Sequence, residues 1–403
     1  MSTTAEQIDL TRPEFWMADP YPTLARLRAA DPVHYHDTAA HPFWALTRHD
    51  DIVTVSKSPE TFCSGKGIAI QGGSGDDMAE FENLVTMDDP AHKWLRALVS
   101  RGFTPGRIRT LEGHVRELTT SILDNVAGRD EIDFVEDVAA LLPSYVIGEL
   151  LGVPREDQHL IKIWSDGITE GGGGGDGQNE DGFAAIGHMM QYLEGMQEAR
   201  REAPTDDLVS LLMRAEIDGK QLTEAAQRGF FLLLEFAGNE TTRNTIVGGL
   251  LALAERPEQA ARLRHDPGLI GSAAEEMLRF VSPVTHFRRT ATRDAELRGR
   301  AIREGDWLVM FYGAGNRDPE VFASPDDFDV TRHPNPHVAL GGGGPHFCLG
   351  AALGRLEIRV MFEELLRRFP GFELAGPPTR VRSNFIRGIK SLPVRLGEDR
   401  GRR

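Results

Sequence analysis

Two cysteines in 403 residues, Cys63 and Cys348, are too few for a disulfide framework, and no CxxC spacing offers a zinc site. Long apolar runs are missing as well. A membrane-spanning helix needs roughly 18 such residues, and the nearest candidate, Phe230–Leu234, stops at Glu235. The opening MSTTAEQIDLTRPEF has neither the cationic start nor the apolar stretch of an export signal. Positive charge is in deficit, with 45 Lys and Arg against 61 Asp and Glu and a formal net charge of −16. That balance disfavours non-specific binding to nucleic acid or to an anionic membrane. With 40% hydrophobic and 26% charged residues, a disordered chain is excluded. A soluble, reduced, cytoplasmic protein is expected.

Helical periodicity dominates what is present. Leu111–Val126, Phe134–Leu151, Ile186–Glu202, Thr223–Ala254, Ile270–Phe280 and Leu349–Phe369 carry apolar residues at three- and four-residue spacing. Thr223 is placed to cap the longest segment, and Pro283 and Pro370 close two others. Strand-like pieces are few: Phe43–Leu46, Trp307–Tyr312 and Ser391–Leu396, where Pro393 predicts an edge position. No internal repeat or linker appears, so one large, mainly α domain with a small β region is expected. Gly171–Gly177 contains a G-x-G-x-x-G match, but no strand precedes it and acids surround it. It reads as a flexible surface loop and not as a dinucleotide site.

The most informative stretch is Gly341-Gly-Gly-Gly-Pro-His-Phe-Cys348-Leu-Gly350, which runs straight into the helical segment Leu349–Phe369. A lone intracellular cysteine is usually a small buried hydrophobe. Here four glycines allow close backbone approach to a flat ligand, and a helix N-terminus at the sulfur favours thiolate over thiol. Such a thiolate is a soft, strong metal ligand. With no clustered histidines or second cysteine nearby, the metal must bring its other ligands with it, as haem iron does. No Gly-Lys-Ser/Thr follows to support a phosphate loop.

This loop resembles the haem-binding signature of the cytochrome P450 monooxygenases, with Cys348 in the position of the axial thiolate ligand to iron and His346 in the Arg/His position. Gly341 stands where that family usually opens the loop with phenylalanine; the nearest apolar side chain is Leu340. Four further motifs follow the same resemblance. Glu276 and Arg279, one helical turn apart, match the family's E-x-x-R pair, which is buried and holds the meander before the cysteine loop. Spacing alone would equally describe a surface ion pair. Asn316-Arg-Asp-Pro319 and Phe328-Asp-Val-Thr-Arg332 lie where the meander is expected. His92 and Arg96, after Asp88-Asp-Pro90, match a propionate-binding motif, and Arg289 matches a further propionate arginine. Its neighbour Arg288 offers the same bidentate fork. With His346 this makes four donors for two carboxylates. Ala237-Gly-Asn-Glu240-Thr241-Thr242 matches the segment over the distal face, where the alcohol of Thr241 and the acid of Glu240 deliver protons during dioxygen cleavage. Independently of the family, Thr241 can bond back to the carbonyl of Ala237, and Gly238 leaves room for a bulge that admits water.

The resemblance extends from about Pro20 to Leu396. It implies one triangular P450 domain over residues 1–403, with an N-terminal extension to about residue 19 and a tail from 397. It further implies haem b, dioxygen as cosubstrate, and electrons from NADH or NADPH through a reductase and a ferredoxin. The expected activity is hydroxylation of an unactivated C–H bond. Lys93, Arg101, Arg107 and Arg355 flank the expected docking side for an acidic partner. By family position the pocket would be lined by Ile68, Ile70, Leu84, Val85, Leu233, Ala237, Val284, Phe287, Phe385 and Ile386, a hydrophobic set. Gly238-Asn-Glu-Thr-Thr-Arg-Asn244, Pro334-Asn-Pro-His337 and Asn384–Lys390 look like members that oxidise sterol side chains and methyl-branched lipids. A steroid, isoprenoid or fatty chain is therefore the expected substrate. A tailoring hydroxylase of a terpene or polyketide, and a non-catalytic haem-thiolate sensor, remain the alternatives.

Overall fold

Helices carry the architecture because the amphipathic segments bury their apolar stripes against one another. The computed structural model describes residues 8–37, 40–70, 83–170, 180–217 and 219–401, so the Gly171–Gly177 loop lies outside the described residues. The principal helices are α1 (Ala91–Val99), α2 (Glu112–Val126), α3 (Leu141–Leu151), α4 (Gln158–Glu170), α5 (Glu180–Glu202), α6 (Glu224–Glu255), α7 (Ile270–Val281) and α8 (Ala351–Arg368). Most of their apolar faces meet in one core, where Phe230, Phe231, Ile246 and Leu250 of α6 are buried with Leu142 of α3, Met277 of α7 and Phe362 of α8. The 32-residue α6 is its axis. At ~1.5 Å per residue it is long enough to cross the whole domain.

The strands of the two larger sheets are β1 (Val33–His36), β2 (Phe43–Leu46), β3 (Phe62–Cys63), β4 (Ile132–Asp133), β5 (His286–Ala291), β6 (Trp307–Phe311), β7 (Phe372–Leu374) and β8 (Pro393–Leu396). The larger sheet has the order β1-β2-β6-β5-β3. Its β6 runs parallel to β2 and antiparallel to β5, with Leu308 opposite Arg289. The smaller sheet has the order β7-β8-β4.

Several boundaries differ from the periodicity reading, each for a local reason. The expected helix over 134–151 is split: Val135–Ala139 is a π turn, and α3 begins at Leu141. Phe134 is tied to the Leu392 carbonyl and Val135 N–H to Asp133 Oδ1, which fixes the entry and widens the first turn. β8 is the central strand of its sheet, not an edge. Pro393 is tolerated there because it is the first residue of the strand, where its missing N–H costs no ladder bond. Thr223 caps α6 as expected, its side chain accepting from Ala226 N–H.

Candidate functional site

Cys348 sits just ahead of α8, and Gly350 is the cap of that helix. The loop before it is held by a Cys348 N–H bond to the Leu340 carbonyl, 3.0 Å. Gly341, Gly342, Gly343 and Gly344 all have positive φ, 101°, 66°, 87° and 79°, a region L side chains rarely adopt. The glycines are also needed against protein and not only against a ligand. A Cβ on Gly344 would lie 2.2 Å from the Ser56 carbonyl oxygen.

The sulfur faces a cavity with about 1350 Å³ of space free of protein atoms, its mouth included. The surface that makes Cys348 exposed is surface on this cavity. The cavity is lined by Leu233, Ala237, Gly238 and Thr241 of α6 and by Leu340, Gly341, His346, Cys348 and Gly350 of the cysteine loop. Of the residues expected to line a pocket, Leu84, Val85, Leu233, Ala237, Val284 and Phe287 do so. Ile68, Ile70, Phe385 and Ile386 are buried and are not among the lining residues. Ile70 packs with Leu10 and Trp16, and the Phe385 ring lies behind Phe287, 5.6 Å between centroids.

Burial pushes the Cys348 thiol up, against the opposing pull of the Gly350 N–H, Arg96 and Arg355. The helix terminus alone therefore does not make the thiolate; a coordinated metal deprotonates a thiol outright.

The four expected propionate donors converge on one edge. The rings of His92 and His346 are 4.1 Å apart between centroids. His346 Nε2 is 3.2 Å from Ser64 Oγ, and Arg96 donates to the Phe347 carbonyl at 2.6 Å. Arg289 donates to the Arg288 carbonyl at 2.8 Å. Arg288 is committed elsewhere: its guanidinium stacks on Trp307 at 3.7 Å and donates to the Lys66 and Gly67 carbonyls. Arg289, not Arg288, is the one whose charge acts on His346. Burial and then Arg289, His92 and Arg96 hold the His346 pKa down at about 2. Burial and Arg96 depress His92, and burial depresses Arg96 and Arg289. The nearby Asp88 accepts from the backbone N–H groups of Ser64 and Gly65, 2.7 and 2.9 Å. Nε2 of His92 is buried without a partner. With both histidines held neutral, the guanidinium groups of Arg96 and Arg289 and the unpartnered His92 nitrogen leave this end of the cavity short of negative charge and of hydrogen-bond partners. A haem, with two propionates and an open axial position for sulfur, fits that deficit.

On α6, Thr241 Oγ1 donates to the Ala237 carbonyl at 2.6 Å. The expected bulge is absent: α6 is continuous α-helix through this region. A Cβ on Gly238 would lie 2.6 Å from Cδ1 of Ile147, so this glycine lets α3 pack closely. Glu240 is fully buried but does not line the cavity. It pairs with Arg243, accepts from Asn244 Nδ2 at 3.3 Å, and is linked through Arg243 Nη1 to Asp166 at 2.9 Å.

Glu276 and Arg279 are both wholly buried and joined by two bonds of 2.8 Å. Arg279 also donates to the carbonyls of Asn316, Pro325 and Asp327, while Arg332 and Asn335 donate to Glu276. The pair is thus a clamp on the meander, not a surface ion pair. Sequence reading missed Glu357, which lines the cavity from the second turn of α8 and whose pKa burial raises to about 8. The available signal was an acid at a helix position whose neighbours Leu353, Ile358, Val360 and Met361 are apolar and buried.

The family model for cytochrome P450 matches residues 269–389. The chain is 40% identical over 403 residues to the methyl-branched lipid omega-hydroxylase of Mycobacterium tuberculosis, covering 96% of this chain and 94% of the relative. It is 37% identical over 389 residues to a steroid C26-monooxygenase of Mycolicibacterium smegmatis, covering 93% and 90%. Among solved structures, a Mycobacterium marinum cytochrome P450 in complex with pseudoionone superposes with a TM-score of 0.90 at 37% identity, covering 98% and 99%.

Proposed function

The chain belongs to the cytochrome P450 family, whose members are haem-dependent monooxygenases, and from that premise we propose that it hydroxylates a hydrophobic lipid-like substrate with Cys348 as the iron ligand. The observation that carries this is one largely apolar cavity lined by both Cys348 and Thr241. When bound, haem supplies dioxygen activation and C–H oxidation. His92, Arg96, Arg289 and His346 hold its propionates. Leu84, Val85, Leu233, Ala237, Val284 and Phe287 exclude water and orient the substrate by shape. Thr241 offers a hydroxyl where protons are needed, and Glu240 carries protons to it from the Arg243–Asp166 side. The chain works as one catalytic domain.

The substrate class follows from the apolar wall and from the names of the relatives: a steroid, isoprenoid or methyl-branched fatty chain, attacked at or near its end. Electrons come from a redox partner. A ferredoxin with its NAD(P)H-dependent reductase fits the exposed Lys93 and Arg101. Arg355 is a poor docking cation, since it forms a two-point pair with Glu275. The test is a steroid and branched-lipid library scored by haem spin-state shift, then turnover with a surrogate ferredoxin system. Binding and terminal hydroxylation of at least one class is expected; no spin shift and no product with any of them overturns the substrate reading.

A further inference from the structure

A second acid on α6 has no task in the reaction outlined above. Glu235 is fully buried, five residues before Glu240, and is not part of the cavity wall. Neither carboxyl oxygen of Glu235 has a donor in full hydrogen-bond geometry, although the Ser165 hydroxyl approaches closely enough to act on it. Glu235, Asn239 and Arg243 are spaced four apart and form one stripe along α6. Other buried groups on that stripe retain unused hydrogen-bonding capacity. They are Nδ2 of Asn239, Nε of Arg243 and, facing Glu235 from α4, the hydroxyl of Ser165. The Asn239 amide lies beside the Ser144 hydroxyl of α3, 3.3 Å from its Oδ1, while that hydroxyl also bonds the Ala140 carbonyl at 2.7 Å. Buried polar groups are nearly always satisfied, so several orphans in one place mark a site for ordered water.

We propose that Glu235, Ser165 and Asn239 hold a small water cluster that joins the Glu235 carboxyl to Glu240, making Glu235 a buried proton store for it. This rests on the reading of Glu240 as the group that feeds protons toward Thr241. In the step, the O–H bond of Glu235 breaks, the bridging water gains one proton and loses another, and an O–H bond forms on Glu240. The negative charge moves from Glu240 to Glu235 and stays near Arg243, so the net charge of the group is unchanged. Neutral Glu240 is then no longer held ionically by Arg243. Refilling comes from solvent, where Glu136 and Asp166 border an open cleft and Lys162 bridges them at 2.7 and 2.6 Å. Glu235 touches no substrate; it is a positioning residue for the proton.

The electrostatics agree. Burial first, and then the charge of Glu240, raise the Glu235 pKa to about 8; Ser165 and Arg243 oppose, and Asp166 adds to the rise. Glu235 therefore carries its proton at neutral pH.

The test uses full-length haem-loaded protein. Infrared spectra at neutral pH are compared for wild type, Glu235→Gln, Glu240→Gln and Glu357→Gln. We expect a protonated-carboxyl band that shifts in D2O, is lost in Glu235→Gln, is displaced in Glu240→Gln and survives in Glu357→Gln. Coupled turnover should fall roughly tenfold in Glu235→Gln, short of the ~10²-fold of a direct proton donor, with partial recovery in Glu235→Asp. No such band, or a band with unaltered coupling and solvent isotope effect in Glu235→Gln, overturns the proposal. If Glu240→Gln alone leaves coupling intact, the role of Glu240 falls, and with it a store that serves Glu240. A displaced band in that variant shows the two acids to be in contact all the same.

Discussion

At Cys348 two influences oppose each other: burial favours the thiol, while the Gly350 N–H and two arginines favour the thiolate. The position is legible in sequence because a glycine-rich loop, a cysteine and a helix start stand in one line. The electrostatic balance was not, since burial depends on what α6 places opposite. Thr241 is a similar case. Its bond to the Ala237 carbonyl follows from helical spacing, whereas Glu240 turning to Arg243 and away from the cavity does not. We predict that Thr241→Ala keeps haem and substrate affinity but lowers the product formed per NADPH consumed, the difference appearing as hydrogen peroxide or water. Unchanged coupling removes Thr241 from proton delivery. Deleting one partner of the buried Glu276–Arg279 pair strands a charge and up to five hydrogen-bond partners. Arg279→Ala should cost ~3–5 kcal/mol or prevent folding, measured by denaturant unfolding.

Among elements, the loop glycines show how backbone conformation and packing act together. Gly344→Ala has to hold an L residue at φ 79° and place its Cβ against the Ser56 carbonyl. Lower haem retention and a lower Tm are expected. The link between α7 and α8 is electrostatic: Arg355 of α8 and His337 both bind Glu275 of α7. Burial raises the Glu275 pKa, but His337 and Arg355 outweigh it and bring the carboxyl down to about 2. A depressed carboxylate contributes its full stabilisation above its ordinary value near 4.5 and loses it as pH falls toward 2. Glu275→Gln should therefore lower stability at neutral pH and flatten the acid limb between those values in urea titrations. Equal acid limbs in both proteins contradict this. Helix positions were read well from periodicity because α6, α7 and α8 bury continuous stripes. The π turn at Val135–Ala139 and the central place of β8 were hidden, since each depends in part on contact between residues 132–134 and 392–394, far apart in sequence.

On the scale of the whole molecule, a net charge of −16 makes any cationic docking patch local, and its effect dependent on salt. Lys93→Glu should slow reduction by an acidic ferredoxin at low ionic strength, with the difference shrinking as screening approaches a ~10 Å Debye length near 0.1 M salt. Equal rates at low salt exclude Lys93 from the contact. The family and its fold were legible because five motifs occur in order along one chain, each near-useless alone. The pocket was less so: six of ten expected residues line the cavity, and the other four, packed behind it, differ by tertiary placement that spacing does not encode. The most direct measurement is the carbonyl difference spectrum of the reduced haem-loaded protein beside Cys348→Ser. A thiolate-type Soret band in wild type, absent from the variant, is the predicted result; the same band in Cys348→Ser contradicts the account.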